Sequence, residues 1–120
     1  MLEEVRVESL TDPLTGIANR QHFEAMLTSG VASAHVDGSS LMLIMIDIDE
    51  FKRFNDVYGH LTGDQVLRLL GAAMGENVES TTTLARFGGE EFAIILPQAN
   101  AAAAFAVRRR FGAASWRANL

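Results

Sequence analysis

Arg86-Phe87-Gly88-Gly89-Glu90-Glu91-Phe92 decides how this chain folds. Two glycines, with almost no side-chain bulk, precede two adjacent carboxylates. Before them runs the β-branched and apolar Thr81-Thr82-Thr83-Leu84-Ala85, and after them Phe92-Ala93-Ile94-Ile95-Leu96, which stops at Pro97. Strand, small turn, strand predicts a hairpin with its acids at the tip, a place to hold a metal ion against a phosphate.

Upstream, Leu41-Met42-Leu43-Ile44-Met45-Ile46 is an unbroken apolar run and predicts a central strand covered on both faces. It ends at Asp47-Ile48-Asp49. A short helical stretch through Phe51, Phe54 and Asn55 leads to a turn at Tyr58-Gly59-His60. A longer helix follows, with Thr62 as its cap and Gln65 completing a capping box. Nearer the start, Asp12-Pro13 marks a turn, Ile17, Phe23, Met26 and Leu27 predict a helix over about 18–29, and residues 31–40 are small and polar, with Asp37-Gly38-Ser39-Ser40 as a loop. After the hairpin, the alanine-rich residues 99–111 read as helical. This order indicates an α/β layered domain. If the hairpin pairs beside the central strand, Asp47 and Glu90 meet at one end of the sheet, and oxygen-only ligation of that kind suits Mg²⁺ or Mn²⁺.

Composition bounds the rest. At 120 residues, 48% hydrophobic and 21% charged, the chain is sized for a single globular domain. It has no cysteine, which removes disulfides and thiolate metal sites and fits a cytoplasmic location. The net charge of −5 argues against nucleic-acid backbone binding. No apolar run reaches the roughly 18–20 residues of a membrane span, and Met1-Leu2-Glu3-Glu4 is not a secretory start. His22, His35 and His60 have no metal-ligand spacing, and Arg108, Arg109, Arg110 and Arg117 crowd the final stretch.

The blocks in order resemble the GGDEF domain, the diguanylate cyclase family, in its Gly-Gly-Glu-Glu-Phe form. Asp12-Pro13-Leu14-Thr15-Gly16 with Asn19-Arg20 matches the opening motif. Ile46-Asp47-Ile48-Asp49-Glu50-Phe51-Lys52 with Asn55-Asp56 matches the first strand and phosphate loop. Gly59-His60 and Gly63-Asp64 match the next helix start, and the hairpin matches the name-giving motif. The resemblance implies a polymerase-palm or ferredoxin-like antiparallel-containing sheet flanked by helices, which joins two GTP into cyclic di-GMP and releases two pyrophosphates by two-metal nucleotidyl transfer. It implies Asp47, Glu90 and the Ile48 carbonyl as metal ligands, with Glu91 assisting the metals or deprotonation. Backbone amides around Asp49 to Phe51 would hold phosphates with Lys52 beside them, Gly88 and Gly89 would lie against the substrate, and Asn55 and Asp64 would read guanine. A homodimer is implied, because each GTP needs a facing partner. Asp12, Asn19 and Arg20 read as braces of the turn into the first helix.

The chain also departs from the family pattern. Glu79 and Thr82 stand where an Arg-x-x-Asp inhibitory site is usual, so no such site is expected. The division expected is an entering helix remnant over 1–10, the domain over 11–111 and a tail over 112–120. That tail shows no strand period, the family's last strand and helix are expected to be missing, and the Leu41–Ile46 strand is expected to keep an unpaired edge. The alternative to a cyclase is a catalytically weak or inactive GTP-binding or dimerisation module.

Overall fold

The computed structural model describes residues 9–76, 78, 79 and 81–97, together with the backbone of 115–119. Its elements are α1 (Arg20–Asp37), β1 (Leu41–Asp47), α2 (Phe51–Tyr58), α3 (His60–Glu76), β2 (Thr83–Arg86), β3 (Glu91–Pro97) and β4 (Ser115–Asn119). The expected entering helix over 1–10 falls almost wholly outside the described residues, and the expected helix over 99–111 falls entirely outside them.

The sheet has the order β2-β3-β1-β4, and every neighbouring pair is antiparallel. Read from the other edge this is 4-1-3-2, the ferredoxin-like arrangement expected. The hairpin forms as read, β2 against β3, and it lies directly beside β1 with Ile44 opposite Ile94 and Asp47 opposite Glu91.

The apolar run of β1 is explained by its two covers. Met42, Ile44 and Ile46 join Phe92, Ile94 and Leu96 of β3 in a core with Phe51 of α2 and Leu67 and Met74 of α3. The alternate residues Leu41, Leu43 and Met45 lie with Ala93 and Ile95 against Phe23 and Leu27 of α1. A strand of period two sandwiched between helix layers therefore reads as continuous hydrophobicity. Among the described residues Phe92, Ile44, Ile46 and Ile94 are the largest fully enclosed side chains, and each contributes about 1.5–3 kcal/mol by leaving water.

Three expectations are corrected. α1 runs on to Asp37 instead of ending near 29, because Val31 to Val36 can continue a helix whose exposed face needs no apolar period, and it ends only at Gly38 with φ 72. α3 starts at His60, so Thr62 lies inside its first turn and does not cap it; Gly59, at φ 89, makes the corner from α2. Most consequential, the tail does contain a strand. β4 pairs with β1 from Leu43↔Asn119 to Asp47↔Ser115, so the edge expected to be open is occupied. Unpaired N–H and C=O groups along β1 favour any extended segment that reaches them, and five residues suffice without a strong period.

Candidate active site

The antiparallel register brings the acids together. Asp47 is the last residue of β1, Glu91 the first of β3, and the two are register partners. The Ile48 amide then donates to the Glu90 carbonyl at 3.2 Å, which carries the pairing one step past the strands. Asp47, Glu90 and Glu91 are all half-buried. Asp47 Oδ1 is buried and has no hydrogen-bond partner. A carboxylate oxygen withdrawn from water with nothing donating to it is costly unless a cation or a donor completes it.

Of the two glycines of the tip, Gly88 has a close steric neighbour. A Cβ on Gly88 would stand 2.5 Å from Glu91 Oε1, whereas one on Gly89 meets nothing within 4 Å. Gly88 thus leaves room for the Glu91 carboxylate. The amides of Phe87 and Gly88 both donate to the Glu91 carbonyl, at 2.8 and 3.3 Å, and close the turn.

Arg86 anchors this tip to a distant part of the chain. Its Nη2 donates to the Gly89 carbonyl at 2.8 Å, and its Nη1 lies 3.3 and 3.4 Å from the two carboxylate oxygens of Asp12. The Asp12 and Arg86 side chains are 14% and 19% exposed, so this pair is sheltered, unlike the surface pairs Arg20–Glu24 and Arg53–Glu50. Asp12 also accepts from the Thr15 amide and hydroxyl, both at 2.8 Å. Burial pushes the Asp12 carboxyl up, but the Thr15 hydrogen bonds and the Arg86 guanidinium outweigh it and hold the group below its ordinary value of 3.8. Asn19 caps α1 by accepting from the His22 amide at 2.8 Å, and Arg20 lies 4.1 Å over the Phe87 ring. The bracing role read for Asp12, Asn19 and Arg20 is what their contacts provide. The sequence did not disclose that Arg86, 74 residues away, is the partner.

On the other side of the acids, Glu50 sits at φ 54 and turns the chain into α2. The first amides of α2 therefore emerge directly after Asp47-Ile48-Asp49, with the positive end of the helix toward the acidic end of the sheet. Phe51 itself is in the core, so it can act toward a ligand only through its main chain. Lys52 is exposed. Asn55 of α2 packs against Gly63 of α3, the residue before Asp64 in sequence; its Oδ1 is a second buried acceptor without a partner. His60 is exposed at the start of α3. Across the expected inhibitory position, the Thr82 amide simply donates to the Glu79 carbonyl at 2.9 Å.

A family model described as the diguanylate cyclase, GGDEF domain, matches residues 9–115. The chain belongs to the GGDEF family. Among its relatives, the diguanylate cyclase DgcP of Pseudomonas aeruginosa is 47% identical over 96 residues, which are 80% of this chain and 14% of that protein. The response regulator PleD of Caulobacter vibrioides is 39% identical over 102 residues, 85% of this chain and 22% of that protein. The chain thus spans less than a quarter of either relative. Among solved structures, the GGDEF domain of DgcB from Caulobacter crescentus, in complex with c-di-GMP, superposes with a TM-score of 0.84 at 34% identity, covering 96% of this chain and 78% of that one. The diguanylate cyclase SiaD, in complex with its activator SiaC from Pseudomonas aeruginosa, gives a TM-score of 0.84 at 32% identity over 92% of this chain and 48% of that one.

The donor set of this GGDEF domain suits a hard cation. Among the described residues no three His, Cys, Asp or Glu side chains gather as a metal cage. Two neighbouring acids, one with an orphaned buried oxygen, and a main-chain carbonyl are nonetheless oxygen ligands of the kind Mg²⁺ and Mn²⁺ take when substrate phosphates complete the shell. No helix among the described residues is long and apolar enough to cross a membrane.

Proposed function

We propose that this chain carries one half of a diguanylate cyclase reaction centre, binding one GTP and condensing it with the GTP of a facing second copy in the cytoplasm. The cyclase domain proposed runs over 11–111 and takes in β4 from the tail, with 1–10 as the entering helix. The observation that carries this reading is the register pairing of Asp47 with Glu91 beside Glu90, with Asp47 Oδ1 buried and unpartnered. Asp47, Glu90 and the Ile48 carbonyl would hold Mg²⁺ or Mn²⁺, which when bound supplies charge to polarise the α-phosphate and lower the pKa of the attacking hydroxyl.

The residues do the remainder. Main-chain amides at Asp49 to Phe51 hold the β- and γ-phosphates, and Lys52 adds a point charge. Gly88 and Gly89 let the triphosphate approach the hairpin, and Gly88 also frees the Glu91 carboxylate to take the proton of the 3′-hydroxyl. Asn55 and Asp64 accept from the guanine N1–H and N2–H₂ edge, which adenine does not offer. In each half-reaction the 3′-oxygen of one GTP forms a bond to the α-phosphorus of the other. The α–β phosphoanhydride bond breaks and pyrophosphate leaves, so two turns of the same step give cyclic di-GMP and two pyrophosphates.

The test is product formation from GTP with Mg²⁺ or Mn²⁺. Cyclic di-GMP is expected from the chain, with Asp47→Asn and Glu90→Gln each reducing the rate about 100-fold or more. Turnover within tenfold of the parent for either variant removes that residue from the ligand set, and GTP binding with no product at any protein concentration favours the binding-module reading.

A further inference from the structure

Arg20 opens α1, where a cation is out of place. The first turn of a helix carries unpaired amides and the positive end of its dipole, and α1 has no acidic residue there to compensate. The ion pair of Arg20 with Glu24, at 3.2 Å, is exposed and runs from base to acid along the helix, the less favourable order for such a pair. The helix itself therefore gives little reason for this arginine. The hairpin gives one. The guanidinium carbon lies 4.1 Å from the centre of the Phe87 ring, which buried Phe23 of α1 meets edge-on, with centroids 5.4 Å apart and planes at 83°. Phe87 is the last residue before the glycine pair, so whatever fixes its ring fixes where the turn begins. Its amide donates to the Glu91 carbonyl at 2.8 Å, the Gly88 amide donates to the same oxygen at 3.3 Å, and the Glu91 carboxylate lies against Gly88.

We propose that Arg20 is a positioning residue of the reaction centre: its guanidinium, packed over Phe87, clamps the hairpin turn to α1 and so keeps the Glu90 and Glu91 carboxylates in place beside Asp47. This rests on the cyclase reading given above and extends it to a side chain outside the ligand set, on the helix that covers the other face of the sheet from α2 and α3. A cation–π contact at an exposed site is worth a factor of about two to five in the equilibrium that it biases. A small misplacement of a reacting group costs at least as much in rate.

The experiment uses the 120-residue chain and its variants Arg20→Ala, Glu24→Gln, Phe87→Leu and Arg20→Ala/Phe87→Leu, read by amide hydrogen exchange without nucleotide and by cyclic di-GMP synthesis from GTP with Mg²⁺. Arg20→Ala should speed exchange of the Phe87 and Gly88 amides about two- to fivefold. Ile94 and Ile95 in the body of β3 should change less, because removing a cation from the start of α1 offsets the lost contact there. The same variant should lower kcat about three- to tenfold with KM for GTP unchanged. Added to Phe87→Leu it should change neither quantity further, and Glu24→Gln should match the parent. If Phe87→Leu does not fold, the contrast between Arg20→Ala and Glu24→Gln carries the test. Unchanged exchange at Phe87 and Gly88, an equal rise throughout β3, the same effects from Glu24→Gln, or an effect of Arg20→Ala that persists in the Phe87→Leu background overturns the clamp. Faster exchange at the tip with kcat unchanged overturns its part in the reaction. A parent chain that forms no cyclic di-GMP overturns the cyclase reading instead, and the exchange comparison still decides whether Arg20 holds the tip.

Discussion

Asp12 illustrates how a single carboxylate serves the site without approaching it. It holds the Thr15 turn and Arg86 at once, and Arg86 in turn holds the Gly89 carbonyl beside the acids. Replacing it by Asn keeps the shape but removes the charge facing a sheltered guanidinium, whose Nε is already buried without a partner. Asp12→Asn should therefore cost about 1–3 kcal/mol at neutral pH, measured by urea unfolding. The sign of its pH dependence follows from the lowered pKa. The stabilisation is complete above the unfolded carboxyl value and disappears as pH falls through the lower folded one, so the parent should lose stability more steeply than Asp12→Asn below about pH 4. Parallel curves would show that Asp12 contributes nothing through its charge. The turn at Asp12-Pro13 is readable from local chemistry. Its partner across 74 residues is not, because no periodicity connects two charges in separate elements.

At the scale of elements, β1 was legible because both its faces are buried, and the hairpin because glycines punctuate two apolar runs. The extension of α1 was hidden by its own exposure: Val31 and Val36 face solvent at 52% and 85%, so the segment shows no amphipathic stripe. β4 was hidden for a different reason. An edge strand is selected by the partner edge it satisfies as much as by its own residues, and Ser-Trp-Arg-Ala-Asn has little intrinsic pattern. Its pairing makes a specific prediction for hydrogen exchange. In an antiparallel sheet the amides of a central strand point alternately to its two neighbours. Removing residues 115–119 should deprotect every second amide between Leu43 and Asp47, the part of β1 that β4 pairs with, while those bonded to β3 stay protected. Uniform loss of protection along β1 would mean that β4 supports the whole sheet, and no change would mean that it does not pair in solution.

For the whole molecule, the reaction proposed needs two GTP-loaded sites, and one chain has one set of acids. Specific activity should therefore rise in proportion to protein concentration while the chain is mostly monomeric, and level off once dimers predominate. A specific activity independent of concentration at dilutions where sedimentation shows only monomer would refute the need for a second copy. The sequence disclosed the acids and their neighbourhood; it did not disclose that Gly88 and Gly63 make room for Glu91 and Asn55, since the sterics of a missing side chain exist only in three dimensions. The pairing of Asp47 with Glu91 also determines which changes in chain length the protein can accept. Because the acids are aligned by a ladder that counts residues, inserting one residue within β1 or β3 turns the following side chains to the opposite face and separates the pair, whatever amino acid is added. The mostly exposed connection 38–40, outside the ladder, can lengthen without changing that count. Surviving insertions in a library of this chain should therefore fall in the connections, leaving the interval from Leu41 to Asp47 and from Glu91 to Pro97 at fixed length.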